Sequence, residues 1–169
     1  MKIVAIAAYS GNPPPNLVEE VRKFVRYVAT RCGSSITFLV GGYWGLMKYF
    51  VDEVLNHGMK VVILPPISRE DYDFPSEAIV LRLGVDYRVR SVFLARACDV
   101  LVALGGAAGT MQEIFTAYCE GKPVALLVGY GLDSDRLQQF VPCIDERCTS
   151  RIETFKNGEE LGRWLCSKV

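Results

Sequence analysis

The sequence predicts an α/β fold in which a mainly parallel sheet is doubly wound, with helices on both faces. Three observations carry this. Short apolar runs alternate with amphipathic stretches along the whole chain. The runs are apolar on both sides, as strands covered on both faces are. Small-residue turns follow several of them directly. Strand and helix in alternation imply right-handed crossovers and a parallel sheet, and a chain of 169 residues suits one domain over 1–169.

The first strand is read at residues 2 to 8, and Ser10-Gly11-Asn12-Pro13-Pro14-Pro15 then forms a stiff loop. Asn16 is placed to cap a helix on which Leu17, Val21, Phe24, Val25 and Val28 recur at three or four residues. A second strand, Ile36 to Val40, meets Gly41-Gly42-Tyr43-Trp44-Gly45, where glycines let the backbone approach a ligand. The helix after it closes at His57-Gly58. Lys60 to Leu64 is a third strand, Ser68 to Ser76 a polar surface loop able to act as a lid, and Ala78 to Leu83 a less central strand. Asp86 to Ala97 reads as a helix with Val89, Val92, Phe93 and Ala97 on one side and Arg88 and Arg96 on a solvated face. Asp99 to Leu104 is a strand and Thr110 to Glu120 its helix. Pro123 to Val128 is a buried strand, followed by Gly129-Tyr130-Gly131. A helix from Ser134 to Phe140, a strand at Ile152 to Phe155 and a helix from Asn157 to Cys166 complete the chain.

Composition removes several classes. Lys and Arg number 19 against 19 Asp and Glu, without a dense basic run, which argues against a nucleic-acid partner. No apolar stretch approaches the roughly 18 to 20 residues of a membrane span. The N-terminus lacks a cleavage pattern, so a cytoplasmic protein is expected. Six cysteines without a CxxC pair or zinc-site spacing read as small apolar fillers, with pairing of Cys143 and Cys148 left open. No metal site and no cofactor are called for.

Ligands in such sheets bind beyond the strand carboxyl ends, at the point where strand order reverses. Four loops are expected to converge there: Ser10-Gly11, Gly41 to Gly45, Gly105 to Thr110, and Gly129 to Gly131. The central stretch is Gly105-Gly106-Ala107-Ala108-Gly109-Thr110-Met111-Gln112-Glu113. A strand, a small-residue turn and a helix start form an anion site, because unsatisfied N–H groups and the positive end of the helix dipole meet there. Neither G-x-G-x-x-G after the first strand nor G-x-x-x-x-G-K-[ST] occurs, so a mononucleotide-sized ligand is favoured. Glu113 has two readings. It is a carboxylate for chemistry, or the end of a T-x-x-E capping box from Thr110.

The pair Gly41-Gly42-Tyr43-Trp44-Gly45-Leu46-Met47 and Gly105 to Glu113 resembles the signature of the LONELY GUY (LOG) family, P-G-G-x-G-T-x-x-E. Arg90 stands at the distance before Glu113 at which that family has an arginine. The resemblance implies a Rossmann-like homo-oligomer, usually a dimer. It also implies hydrolysis of the N-glycosidic bond of nucleoside 5'-monophosphates to free base and ribose 5-phosphate. Glu113 and Arg90 would be catalytic. Gly105, Gly106, Ala107, Ala108, Gly109 and Thr110, with Gly41, Gly42, Gly45, Ser10 and Gly11, would hold the nucleotide.

The sequence departs from the pattern at Gly105, where the family has proline, at Ala107, where it has glycine, and at Tyr87-Arg88-Val89-Arg90-Ser91, where it has M-H-x-R-K. The first glycine motif is closer to the molybdenum-cofactor carrier-like sister group. A non-catalytic nucleotide or molybdenum-cofactor carrier is therefore the alternative to the hydrolase. A decarboxylase would need a pyridoxal-phosphate lysine, and Lys48 and Lys122 lack that context. The apolar residues Met47, Tyr49, Phe50, Phe115 and Tyr118 suggest a homodimer.

Overall fold

The computed structural model describes residues 1–169. Seven strands form one parallel sheet in the order β4-β3-β2-β1-β5-β6-β7, namely β1 (Lys2–Ala7), β2 (Ile36–Val40), β3 (Lys60–Ile63), β4 (Ile79–Val80), β5 (Val100–Ala103), β6 (Val124–Leu127) and β7 (Ile152–Phe155). The helices are α1 (Pro15–Arg31), α2 (Gly45–Asn56), α3 (Tyr87–Ala97), α4 (Ala108–Cys119) and α5 (Gly158–Cys166), with a 3-10 segment at Asp133–Phe140. No helix is long and apolar enough to cross a membrane.

Alternation along the central strand sets the layers. Val4 and Ile6 of β1 face α1, α2 and α5, whereas Ala5 and Ala7 face α3 and α4. Both faces are thus buried, which is why these strands read as continuous apolar runs. Strand order runs outward from β1 through β2 on one side and from β1 through β5 on the other. The reversal, and hence the crevice, lies at the carboxyl ends of β1 and β5.

Helix starts differ from expectation in two places. Helix α1 begins at Pro15, with Pro14 as its cap residue, because proline suits the first helical position. The Asn16 side chain only accepts from Leu17 N, at 3.0 Å. Helix α4 begins at Ala108, two residues before Thr110.

The reading of the cysteines as fillers is corrected at Cys32 and Cys166, and the pairing left open at Cys143 and Cys148 is present. Packing of α1 on α5 brings the Cα atoms of Cys32 and Cys166 to 5.7 Å, and the pair is bridged. Cys143 and Cys148 form a second disulfide. Cys98 and Cys119 remain free. Cys98 does act as a filler, and burial pushes its thiol up to about 11. The dimer residues are corrected as well. Met47, Phe50 and Tyr118 lie in the core, and Phe115 packs edge-on against Phe140. Of the five, Tyr49 is exposed.

Helix α3 reverses its expected face. Its cap is Asp86, whose side chain accepts from Arg88 N and Val89 N. The side turned inward carries Arg90, Ser91, Leu94 and Ala95, while Val89 (43%), Val92 (37%) and Phe93 (49%) are exposed. Apolar residues on both sides gave its sequence pattern two possible orientations, and the buried ion pair described next selected one.

Candidate functional site

A cleft of about 170 Å³ opens at the carboxyl ends of β1 and β5. Its walls include Ser10 from the loop after β1, Trp44 and Met47 from the start of α2, Tyr87, Arg88, Arg90 and Ser91 from α3, and Ala107, Gly109, Thr110 and Glu113 from α4. An open groove of about 520 Å³ adjoins it through Ser10, lined by Gly11, Asn12, Pro13, Gly45, Lys48, Tyr49 and Asp52.

The central interaction is a buried ion pair. Glu113 is 5% exposed and Arg90 7%. Arg90 Nη1 donates to Glu113 Oε1 at 3.1 Å, and Ser91 Oγ donates to the same oxygen at 2.9 Å. Both bonds end on Oε1, so Oε2 receives no donor from the chain. Burial raises the Glu113 carboxyl above the usual carboxylate range, against the opposing pull of Arg90, Ser91 and Arg88. Burial also lowers Arg90, against the attraction of Glu113. The Arg90 Nε is buried with no partner.

The early start of α4 removes the capping-box reading. The cap residue is Ala107, with no side-chain cap, so Thr110 lies inside the first turn and Glu113 almost a full turn further on, facing α3. The first-turn N–H groups of α4 lack intrahelical acceptors. Beside them, a Cβ built on Gly109 meets nothing within 4 Å.

Of the residues read as holding a nucleotide, the cleft gathers Ser10, Ala107, Gly109 and Thr110. The others act behind its walls or elsewhere. Gly41 is the seat of the Arg90 guanidinium, which a Cβ there would overlap, and Gly42 seats the Trp44 ring in the same way. Gly45 has φ +55 and packs against the backbone of Ser10 and Gly11. Gly105, with φ +90, turns the chain after β5. The Gly106 N–H donates to Ser134 Oγ at 2.9 Å and its carbonyl accepts from Ser134 N at 2.9 Å, so it is engaged within the chain. Ala108 does not line the cleft, and Gly11 lines the outer groove.

The expected fourth loop does not join. Tyr130 N and Gly131 N are held by Asp135 Oδ2 at 3.1 and 2.8 Å, away from the cleft. Sequence reasoning placed Trp44 in a converging loop and missed Ser91 as a wall residue, while Arg88, read on a solvated face, is exposed and also lines the cleft. The N-cap signal of Asp86 fixes the register of α3, and with it the cleft positions of Tyr87 and Arg88. The expected lid region packs on the cleft wall, with Arg69 over the Trp44 ring at 4.5 Å and Tyr72 edge-on to it at 5.8 Å. No three His, Cys, Asp or Glu side chains gather where they could hold a metal ion.

A parallel doubly wound sheet with a polar cleft at its reversal point defines a Rossmann-like α/β domain. The chain belongs to the SLOG cluster4 family, whose sequence pattern matches residues 2–165. It is similar to the structural-genomics target TM1055, at 31% identity and TM-score 0.85 over 98% of each chain. It also resembles in fold the molybdenum cofactor binding protein from the phototrophic bacterium Rippkaea orientalis, at 17% identity and TM-score 0.78, covering 98% of this chain and 96% of that one. An uncharacterized protein of Archaeoglobus fulgidus is 32% identical over 88 residues, 52% of this chain, which spans only 56% of that relative.

Proposed function

We propose that this chain is a binding protein for a phosphorylated small molecule of the nucleotide or molybdenum-cofactor class. The observation that carries the reading is the meeting of the α4 first turn with two guanidinium groups, Arg88 and Arg90, in one cleft. Such a wall suits a phosphate, which takes N–H donors from a helix start and planar forks from arginine. The fold likeness to a molybdenum cofactor binding protein supports the same class. A cleft of about 170 Å³ is smaller than the roughly 300 Å³ at the low end of pockets that enclose a drug-sized molecule. It fits the phosphate and the ring next to it, while the rest of the ligand extends past Ser10 into the outer groove.

Titration calorimetry with AMP and GMP, together with mass spectrometry of small molecules that co-purify, tests this reading. Saturable binding without release of free base is expected. Wild type binding neither nucleotide and carrying no phosphorylated molecule overturns it.

Turnover is the second reading, favoured by Glu113 Oε2, a carboxylate oxygen in the cleft wall with no donor from the chain. N-glycosidic hydrolysis adds water at the anomeric carbon as the base leaves, and a carboxylate stabilises the oxocarbenium-like state or orients that water. Base release by wild type that Glu113→Gln abolishes, with binding retained, would establish it.

A homo-oligomer belongs to the same proposal. Val89, Val92 and Phe93 form an unpartnered apolar face on α3, next to the cleft through Tyr87. Sedimentation of Phe93→Glu is expected to show monomer where wild type shows a dimer or larger species. Identical sedimentation of the two proteins removes this face as the contact.

A further inference from the structure

We propose that Arg88 reads the anionic group of the ligand, holding it as a dianion against the first turn of α4. This rests on the binding reading of the cleft given above.

Two guanidinium groups line the cleft, and their charges are differently engaged. The charge of Arg90 is committed to Glu113 in a buried pair. Arg88 has no carboxylate partner, since none of the chain's ion pairs includes it. Its partner is the neutral amide of Gln112, whose Oε1 accepts from Arg88 Nη1 at 3.2 Å. The same amide donates through Nε2 to the Arg88 carbonyl at 2.9 Å. This reciprocal clamp ties α3 to α4 and orients the guanidinium without neutralising it.

Charge accounting then selects the ligand group. Glu113 is the one carboxylate lining the cleft, and Arg90 offsets it. What remains is the full charge of Arg88 and about half a charge from the start of α4. A phosphate monoester carries about −1.5 to −2 near neutral pH and matches that sum. The open space at Gly109 gives it access to the helix N–H groups.

The experiment is calorimetric titration of wild type, Arg88→Gln and Arg88→Lys with AMP, GMP and adenosine. Arg88→Gln is expected to lose roughly ten- to a hundredfold in nucleotide affinity, the effect of removing a charge-assisted hydrogen bond, while its adenosine affinity stays unchanged. Arg88→Lys recovers part of the loss, because a point charge replaces the fork. Wild-type AMP affinity is expected to fall as pH drops below about 6, where the phosphate takes up its second proton, and that fall is flatter in Arg88→Gln.

Arg88 is exposed, so unchanged thermal melts separate these effects from misfolding. Equal AMP affinity in wild type and Arg88→Gln overturns the inference while leaving the binding reading intact. Parallel loss of AMP and adenosine affinity does the same. Wild type that binds neither AMP nor GMP overturns both.

Discussion

Gly41→Ala is expected to destabilise the fold by about 3–5 kcal/mol, the cost of breaking a buried ion pair from one side. Ligand affinity at the cleft is lost with it. Gly41 does not adopt a left-handed conformation, so alanine is acceptable to its backbone. By itself the substitution would add about 0.4–1 kcal/mol of stability through the unfolded chain. The sign is decided by the space above it, where the new methyl overlaps Arg90 Nη1 and Cζ. Expelling the guanidinium leaves Glu113 with Ser91 as its one remaining partner, inside a wall that already disfavours its charge. Thermal denaturation reads the result as a midpoint lowered by roughly 6–20 °C for a chain of this size. A double variant that also carries Arg90→Ala should be little less stable than Arg90→Ala alone, because both act through one pair. A Gly41→Ala protein that melts with wild type would show that Arg90 has another seat.

Removal of the Cys32–Cys166 bridge is the second large effect. The bridge closes a loop with a sequence separation of 134, for which loop-closure entropy gives about 5 kcal/mol of stabilisation. The Cys143–Cys148 loop, with a separation of 5, gives only about 2 kcal/mol on the same scale. The Cys32→Ser/Cys166→Ser protein is therefore expected to melt well below the Cys143→Ser/Cys148→Ser protein. Its denaturant m-value should rise as the unfolded chain expands. The folded state should change little, since α1 and α5 are already held together. Gly158 lies against the backbone of Glu20 and Phe24, and Gly158 N donates to Glu20 Oε2 at 2.8 Å. Equal midpoints for the two double variants would contradict the entropic account.

The sheet was legible because burial on both faces writes itself into composition, as at Val100 to Ala103. The crevice was legible from strand and helix alternation, which leaves few places for the order to reverse. What the glycines do was not legible. Gly41 and Gly42 follow a strand as ligand-approach glycines would, yet they make room for Arg90 and Trp44, and that depends on side chains distant in sequence. Helix α3 was legible as a helix and misleading as a face, because Val89, Val92 and Phe93 match the spacing of a buried stripe. The Cys32–Cys166 link escaped for a related reason. It follows from the packing of the first helix on the last, which spacing along the chain does not encode.

Helix α3 has only 11 residues, and it turns Arg88, Arg90 and Ser91 toward the ligand cleft while its outer side carries Phe93. The proposed ligand site and the proposed self-contact would then use opposite sides of one short rod, and any difference in ligand affinity between the assembled and the free chain would link the two equilibria. A ligand that binds the assembled form more tightly than the free chain strengthens assembly by the same factor. Under such a coupling the concentration of protein would become a variable in every affinity measured at the cleft.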